Sequence, residues 1–91
     1  MRTMTSLRSM AIELAEIVDP AFDDSKRADV AEFLSVGEEG LAVDWSLEAA
    51  NKASLPIPAE LWRDLHDYFA PHTLEASKHT MQLLDGAKQA A

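Results

Sequence analysis

The chain has no cysteine, which removes a disulfide framework, a thiolate metal site and a thiol nucleophile. No apolar run approaches the ~20 residues that a membrane-spanning helix needs. No stretch alternates apolar and polar residues over the length of a strand, and no repeat or low-complexity segment is present. A Gly-rich phosphate loop, an HExxH pair, an EF-hand loop and a GxSxG elbow are all missing. Basic residues are scarce and unevenly placed. There is none between Arg27 and Lys52, where Asp29, Glu32, Glu38, Glu39, Asp44 and Glu48 all fall.

What remains is short, acidic and rich in helix-period patterns. Its 91 residues amount to one domain's length of chain, with a small core. Burying more apolar surface by homodimerisation would suit such a chain. The formal net charge is −8, with −6 carried by residues 1–45 and −2 by residues 46–91. That balance argues against nucleic acid and anionic membranes as partners and favours a basic protein. Arg2 and Arg8 ahead of an apolar stretch give the first twenty residues a signal-like flavour. Glu13 and Glu16 interrupt the stretch, so it reads as an amphipathic helix in a cytoplasmic protein.

Five helical segments follow from periodicity and punctuation. The first runs from about Thr5 to Asp19, with Leu7, Met10, Ala11, Leu14, Ile17 and Val18 on one face, Thr5 or Ser6 as cap, and Asp19-Pro20 as its end. The second runs from about Asp24 to Val36. Asp23, Asp24 and Ser25 stand at its start; Val30, Phe33, Leu34 and a marginal Ala31 form its stripe; Gly37 follows as a left-handed cap. The third begins at Glu38–Gly40 and ends near Ala53, with Leu41, Ala42, Trp45, Ala49 and Ala53 sharing a face. Leu55-Pro56-Ile57-Pro58 must be extended, with Pro58 suited to the first turn of the next helix. The fourth segment spans about Pro58 to Ala70, with Leu61, Leu65, Tyr68 and Phe69 inside and an Arg63–Asp67 pair outside. The fifth spans about His72 to Ala87 and carries Leu74, Ala76, Met81, Leu83 and Leu84. The spacing 61, 65, 68/69, 72, 76, 79, 83 also permits one helix kinked at Pro71. Residues 1–4 and 87–91 are expected to fray. The fold class is therefore all-α, a bundle of four to five short helices in a single domain with largely antiparallel neighbours.

The residues present suggest no chemistry. His66, His72 and His79 lack a third ligand at helical spacing, and the i, i+3 carboxylate pairs Glu13/Glu16, Asp29/Glu32 and Asp64/Asp67 lack the ExxH partner of a di-iron bundle. No catalytic residue, cofactor or metal is expected, and the chain does not read as an enzyme. Trp45 is placed in the core. Trp62, one position off the Leu61/Leu65 face, either covers the core edge or anchors a partner. The acids from Asp29 to Glu48 are either solvated helix faces or a patch that steers a cationic partner. Glu38 and Glu39 have a structural reason as well, since they stand at a helix start where the dipole favours negative charge.

One stretch carries a likeness. Gly37-Glu38-x-Gly40-Leu41-Ala42, the acidic-apolar helix through Asp44 and Glu48, and Leu55-Pro56-Ile57-Pro58 followed by Leu61 and Leu65 resemble the MafI-type immunity proteins. The preceding Phe33-Leu34 fits as well. Asp44 stands where such proteins often carry Glu, and Pro71–Ala91 is a longer extension than theirs. These are small helical proteins of the bacterial cytoplasm that neutralise a toxin encoded beside them. The resemblance implies stoichiometric binding over the basic cleft of a nuclease toxin. It assigns contact to Glu38, Glu39, Asp44 and Glu48, with Asp29, Glu32 and Trp62 as additions. The rival reading is a small regulatory or adaptor module that acts through an apolar patch near Trp62 and Tyr68, as a homodimer or on another protein.

Overall fold

The structure is a computed structural model and describes residues 6–71 and 74–90. Its first helix, α1, spans Leu7–Val18. Ser6 caps it by accepting a hydrogen bond from the Ser9 amide at 3.0 Å. Met10, Ala11, Leu14 and Val18 are buried, with Leu7 and Ile17 packed at the edge, as the periodicity requires. A 3-10 turn at Asp19–Ala21, with Pro20 inside it, redirects the chain. Helix α2 spans Asp24–Ser35, and Asp23 accepts from the Lys26 amide at 2.7 Å. Gly37 has φ of 79°, and the Glu38 amide reaches back to the Phe33 carbonyl at 2.8 Å. This is the Schellman closure expected of a glycine just past a helix end.

Helix α3, Glu39–Ala53, is the centre of the assembly and packs against α1, α2 and α5. Its inward face corrects the expected one. Ala42, Val43, Ser46, Leu47 and Ala50 are buried, whereas Leu41 and Ala53 are exposed and Trp45 is only half-buried. Four alanines, Ala42, Ala49, Ala50 and Ala53, lie around this helix, so its apolar pattern fits more than one phase. Contact with α1 selects the face bearing Val43 and Leu47. The helix ends at Ser54, which takes a left-handed φ of 54°.

Helix α4 spans Ala59–Phe69, and Pro58 stands just before it as the capping residue. Leu61, Leu65 and Phe69 point inward; Tyr68, expected inside, is 38% exposed. Arg63 and Asp67 do not form the expected ion pair; the neighbour of Asp67 is the His66 ring at 3.8 Å. Helix α5 spans Glu75–Asp85 and is separate from α4, so the kinked single helix is ruled out. The expected start at His72 lies outside the described residues. The chain between the two helices resets the phase. Ser77, Thr80 and Leu84 face in, Met81 and Leu83 are half-buried, and Leu74 and Ala76 are exposed.

The expected fraying of residues 87–91 is not seen for residues 87–90. Ile57–Pro58 (β1) and Gln89–Ala90 (β2) form a short parallel pair in the register Ile57↔Gln89 and Pro58↔Ala90. The cause is local. Within Pro56-Ile57-Pro58 only Ile57 has an amide N–H, and Ile57 is fully buried, so that donor needs an acceptor. The Lys88 carbonyl supplies it at 2.8 Å. The bundle is all-α apart from this two-residue pairing, and its helices share one hydrophobic core. No helix among the described residues is long and apolar enough to cross a membrane.

Candidate functional site

The six acids of the base-free run divide into two groups. Asp29, Glu32, Glu38 and Glu48 are exposed, and none has a basic group within 4 Å among the described residues. Asp29 and Glu32 are one turn apart on the solvent side of α2, opposite its buried Val30. Glu38 precedes α3, and Glu48 lies on the outer face of α3 with Leu41 and Lys52. The favourable spacing of Glu48 and Lys52 does not close into an ion pair, although both border a cavity of about 420 Å³ with Lys26.

The other two acids belong to the bundle. Glu39 is half-buried, with Oε2 3.9 Å from the Arg8 guanidinium. The same Arg8 donates to the Leu34 carbonyl at 2.9 Å, so one cation serves the carbonyl end of α2 and the acid that opens α3. Asp44 is half-buried between α3 and α5, where Thr80 Oγ1 lies 2.5 Å from its Oδ1. Thr80 Oγ1 is also 3.1 Å from the Ala76 carbonyl, so its single proton faces two acceptors. Burial pushes the Asp44 carboxyl above its ordinary range, and Glu48 adds to this, while the Thr80 hydrogen bond and nearby His79 pull the other way. Asp44 with Glu38, Leu41, Phe69, Ser77 and Thr80 lines a shallow cleft of about 210 Å³.

Trp45 occupies the seam between α2 and α3. It packs edge-on against Phe33, with ring centroids 5.1 Å apart, and the Lys26 ammonium stands 4.6 Å from its centroid. The acidic run therefore lacks a base in sequence but not in space, because Arg8 and Lys26 come to it from outside. The sequence holds no signal for either approach. A bulky aromatic at the edge of an expected core face is the only hint that a cation could be accommodated there.

Trp62 serves the fold. It is half-buried, its indole N–H donates to the Leu84 carbonyl at 2.9 Å, and its ring stacks on His66 with centroids 5.0 Å apart. Tyr68 lies edge-on to Phe69 at 5.0 Å. None of these contacts involves the exposed acids.

Among the described residues no three His, Cys, Asp or Glu side chains are gathered closely enough to hold a metal ion. The cavities are shallow; polar groups meet in the Asp44 cleft and in the cavity bordered by Asp23, Lys26, Glu48 and Lys52. The outer surface of α2 and α3 carries exposed charge, with Phe33 and Trp45 fixed in the seam between the two helices. Comparison of the chain with protein-family models, with curated proteins and with solved structures finds no match.

Proposed function

We propose that this protein works by stoichiometric binding to a basic protein, through the outer surface of α2 and α3. Following its likeness to immunity proteins, the partner is a toxin, in the bacterial cytoplasm, whose basic substrate cleft is covered in the complex. One observation carries the reading. Asp29, Glu32, Glu38 and Glu48 are exposed without ion pairs among the described residues, while Arg8, Lys26 and Arg27 are all engaged within the chain, on Leu34 and Glu39, on Trp45, and on Asp19 and Asp24 respectively. Uncompensated negative charge is thus left on the surface, and such a field accelerates encounter with a cation.

The test is co-expression with the product of the adjacent gene, followed by association kinetics on the purified pair. Glu38→Lys combined with Glu48→Lys should slow association by about tenfold or more at low salt and flatten its salt dependence. Both positions are exposed, so folding should survive. An unchanged rate and salt slope in the folded double variant would remove the acids from the interface. A neighbouring product that is harmless without this protein would remove the toxin.

A further inference from the structure

Helices α1 and α2 run antiparallel and are pinned at both ends. At one end Arg27, in the first turn of α2, bonds Asp19 at 2.7 Å; at the other Arg8, in the first turn of α1, bonds the Leu34 carbonyl at 2.9 Å. Between the pins the helices do not close on each other. A cavity of about 440 Å³ opens there, with Ile12, Ala15, Phe22, Val30, Ala31 and Leu34 along it. Ile12 is 36% exposed and Ala31 is exposed, so the apolar lining reaches solvent. The groove runs alongside about two helical turns of each wall.

We infer that this groove receives a cationic amphipathic helix of a protein partner. Three features select that occupant. First, the volume lies within the ~300–1,000 Å³ range of small-molecule sites, but such sites present converging polar groups. Here Asp19 and Arg27 bond each other, and the rest of the lining is apolar apart from Glu16. Two antiparallel helical walls with small Ala15 and Ala31 on them fit a row of side chains from a third helix. Second, the charge around the groove is one-sided. All three bases of α1 and α2 are engaged internally, while Glu16 in the groove wall is exposed without an ion pair among the described residues, and Asp29 and Glu32 add unpaired charge on the far side of α2. A helix whose apolar side chains enter the groove meets the Glu16 carboxylate at its rim within an acidic pair of helices, which lysine or arginine would answer. Third, a second copy of this chain would bring a net charge of −8 against −8. The inference rests on the proposed basic partner and adds the element by which that partner docks.

The probe is a synthetic amphipathic peptide of about 14 residues, leucine on one face and lysine on the other, with a glutamate-for-lysine version as control. Amide shift mapping on the full chain should place the perturbed residues on α1 from Ile12 to Asp19 and on α2 from Arg27 to Leu34. Ala31→Arg, which fills the groove with a like charge, should weaken the lysine peptide by about tenfold or more. The glutamate peptide should leave the spectrum unchanged. Perturbation centred on Leu41 and Glu48, equal binding of the acidic peptide, or undiminished binding by folded Ala31→Arg would each overturn the groove. Should Ala31→Arg fail to fold, the mapping on the natural chain decides alone. The Glu38→Lys, Glu48→Lys variant should keep its affinity for the peptide within about twofold, so loss of the groove and loss of the acidic surface register separately.

Discussion

The indole N–H of Trp62 donates to the carbonyl oxygen of Leu84 at 2.9 Å, and the Asn51 side-chain amide donates to the neighbouring Leu83 carbonyl at 3.1 Å. Both acceptors lie in the last turn of α5, where carbonyls have no partner within the helix. Side chains from α3 and α4 thus cap the end of α5 and hold it against the bundle. In Trp62→Phe the Leu84 carbonyl loses this donor and the ring no longer matches His66. Urea unfolding should show a loss of about 1–3 kcal/mol. Association with the proposed basic partner should be unchanged in the folded variant. A drop in affinity without a drop in stability would place Trp62 in the interface.

Asp44 gives the bundle a pH dependence of defined sign. Its folded-state pKa is raised, chiefly by burial, so in the window just above the ordinary carboxyl pKa the folded chain holds a proton that the unfolded chain has released. Its contribution to stability therefore declines as pH rises through that window. Asp44→Asn removes the buried charge and keeps an amide that can bond Thr80 Oγ1. The variant should gain stability relative to the natural chain between about pH 4 and pH 7, and lose that advantage at lower pH, where Asp44 is itself neutral. Unfolding curves at the two pH values check this; an advantage that is the same at both would show that burial does not disfavour the Asp44 charge.

Ser46 is fully buried on the inner face of α3, and its hydroxyl has no hydrogen-bond partner among the described residues. Ser46→Ala removes an unsatisfied group and replaces it with a better helix former. A gain of about 1 kcal/mol is expected by thermal or chemical unfolding. Destabilisation instead would mean that the hydroxyl has an acceptor or a water in solution.

The β1–β2 pair predicts the effect of shortening the chain. Ending it at Ala87 removes the Lys88 carbonyl and leaves the buried Ile57 amide without an acceptor. The cost should be about 1–3 kcal/mol, with faster amide exchange at Ile57. If exchange at Ile57 is equally fast in the full-length chain, the pairing is not stable in solution.

Local sequence sufficed for the all-α class, the left-handed cap at Gly37, and the inner faces of α1 and most of α4, and it narrowed the first two N-caps to Thr5 or Ser6 and to Asp23–Ser25, from which the fold selects Ser6 and Asp23. In those helices large apolar residues recur at one phase only, so local periodicity and burial agree. Tertiary structure decided the rest. Alanines around α3 leave its phase open, and packing against α1 turned Trp45 to the seam, where Phe33 and Lys26 meet it. On α5 the hydroxyls of Ser77 and Thr80 face inward, and the Thr80 hydroxyl can bond its own helix or Asp44. A pattern that treats polar residues as outward-facing cannot find that. The pairing of Ile57 with Lys88 depends on a donor and an acceptor far apart in the chain. The same limit applies to the candidate site. Six acids without a base could be counted in sequence, but only folding brought Arg8 to Glu39 and Thr80 to Asp44. Charge is a property of the chain, whereas its compensation depends on distances that no single segment contains.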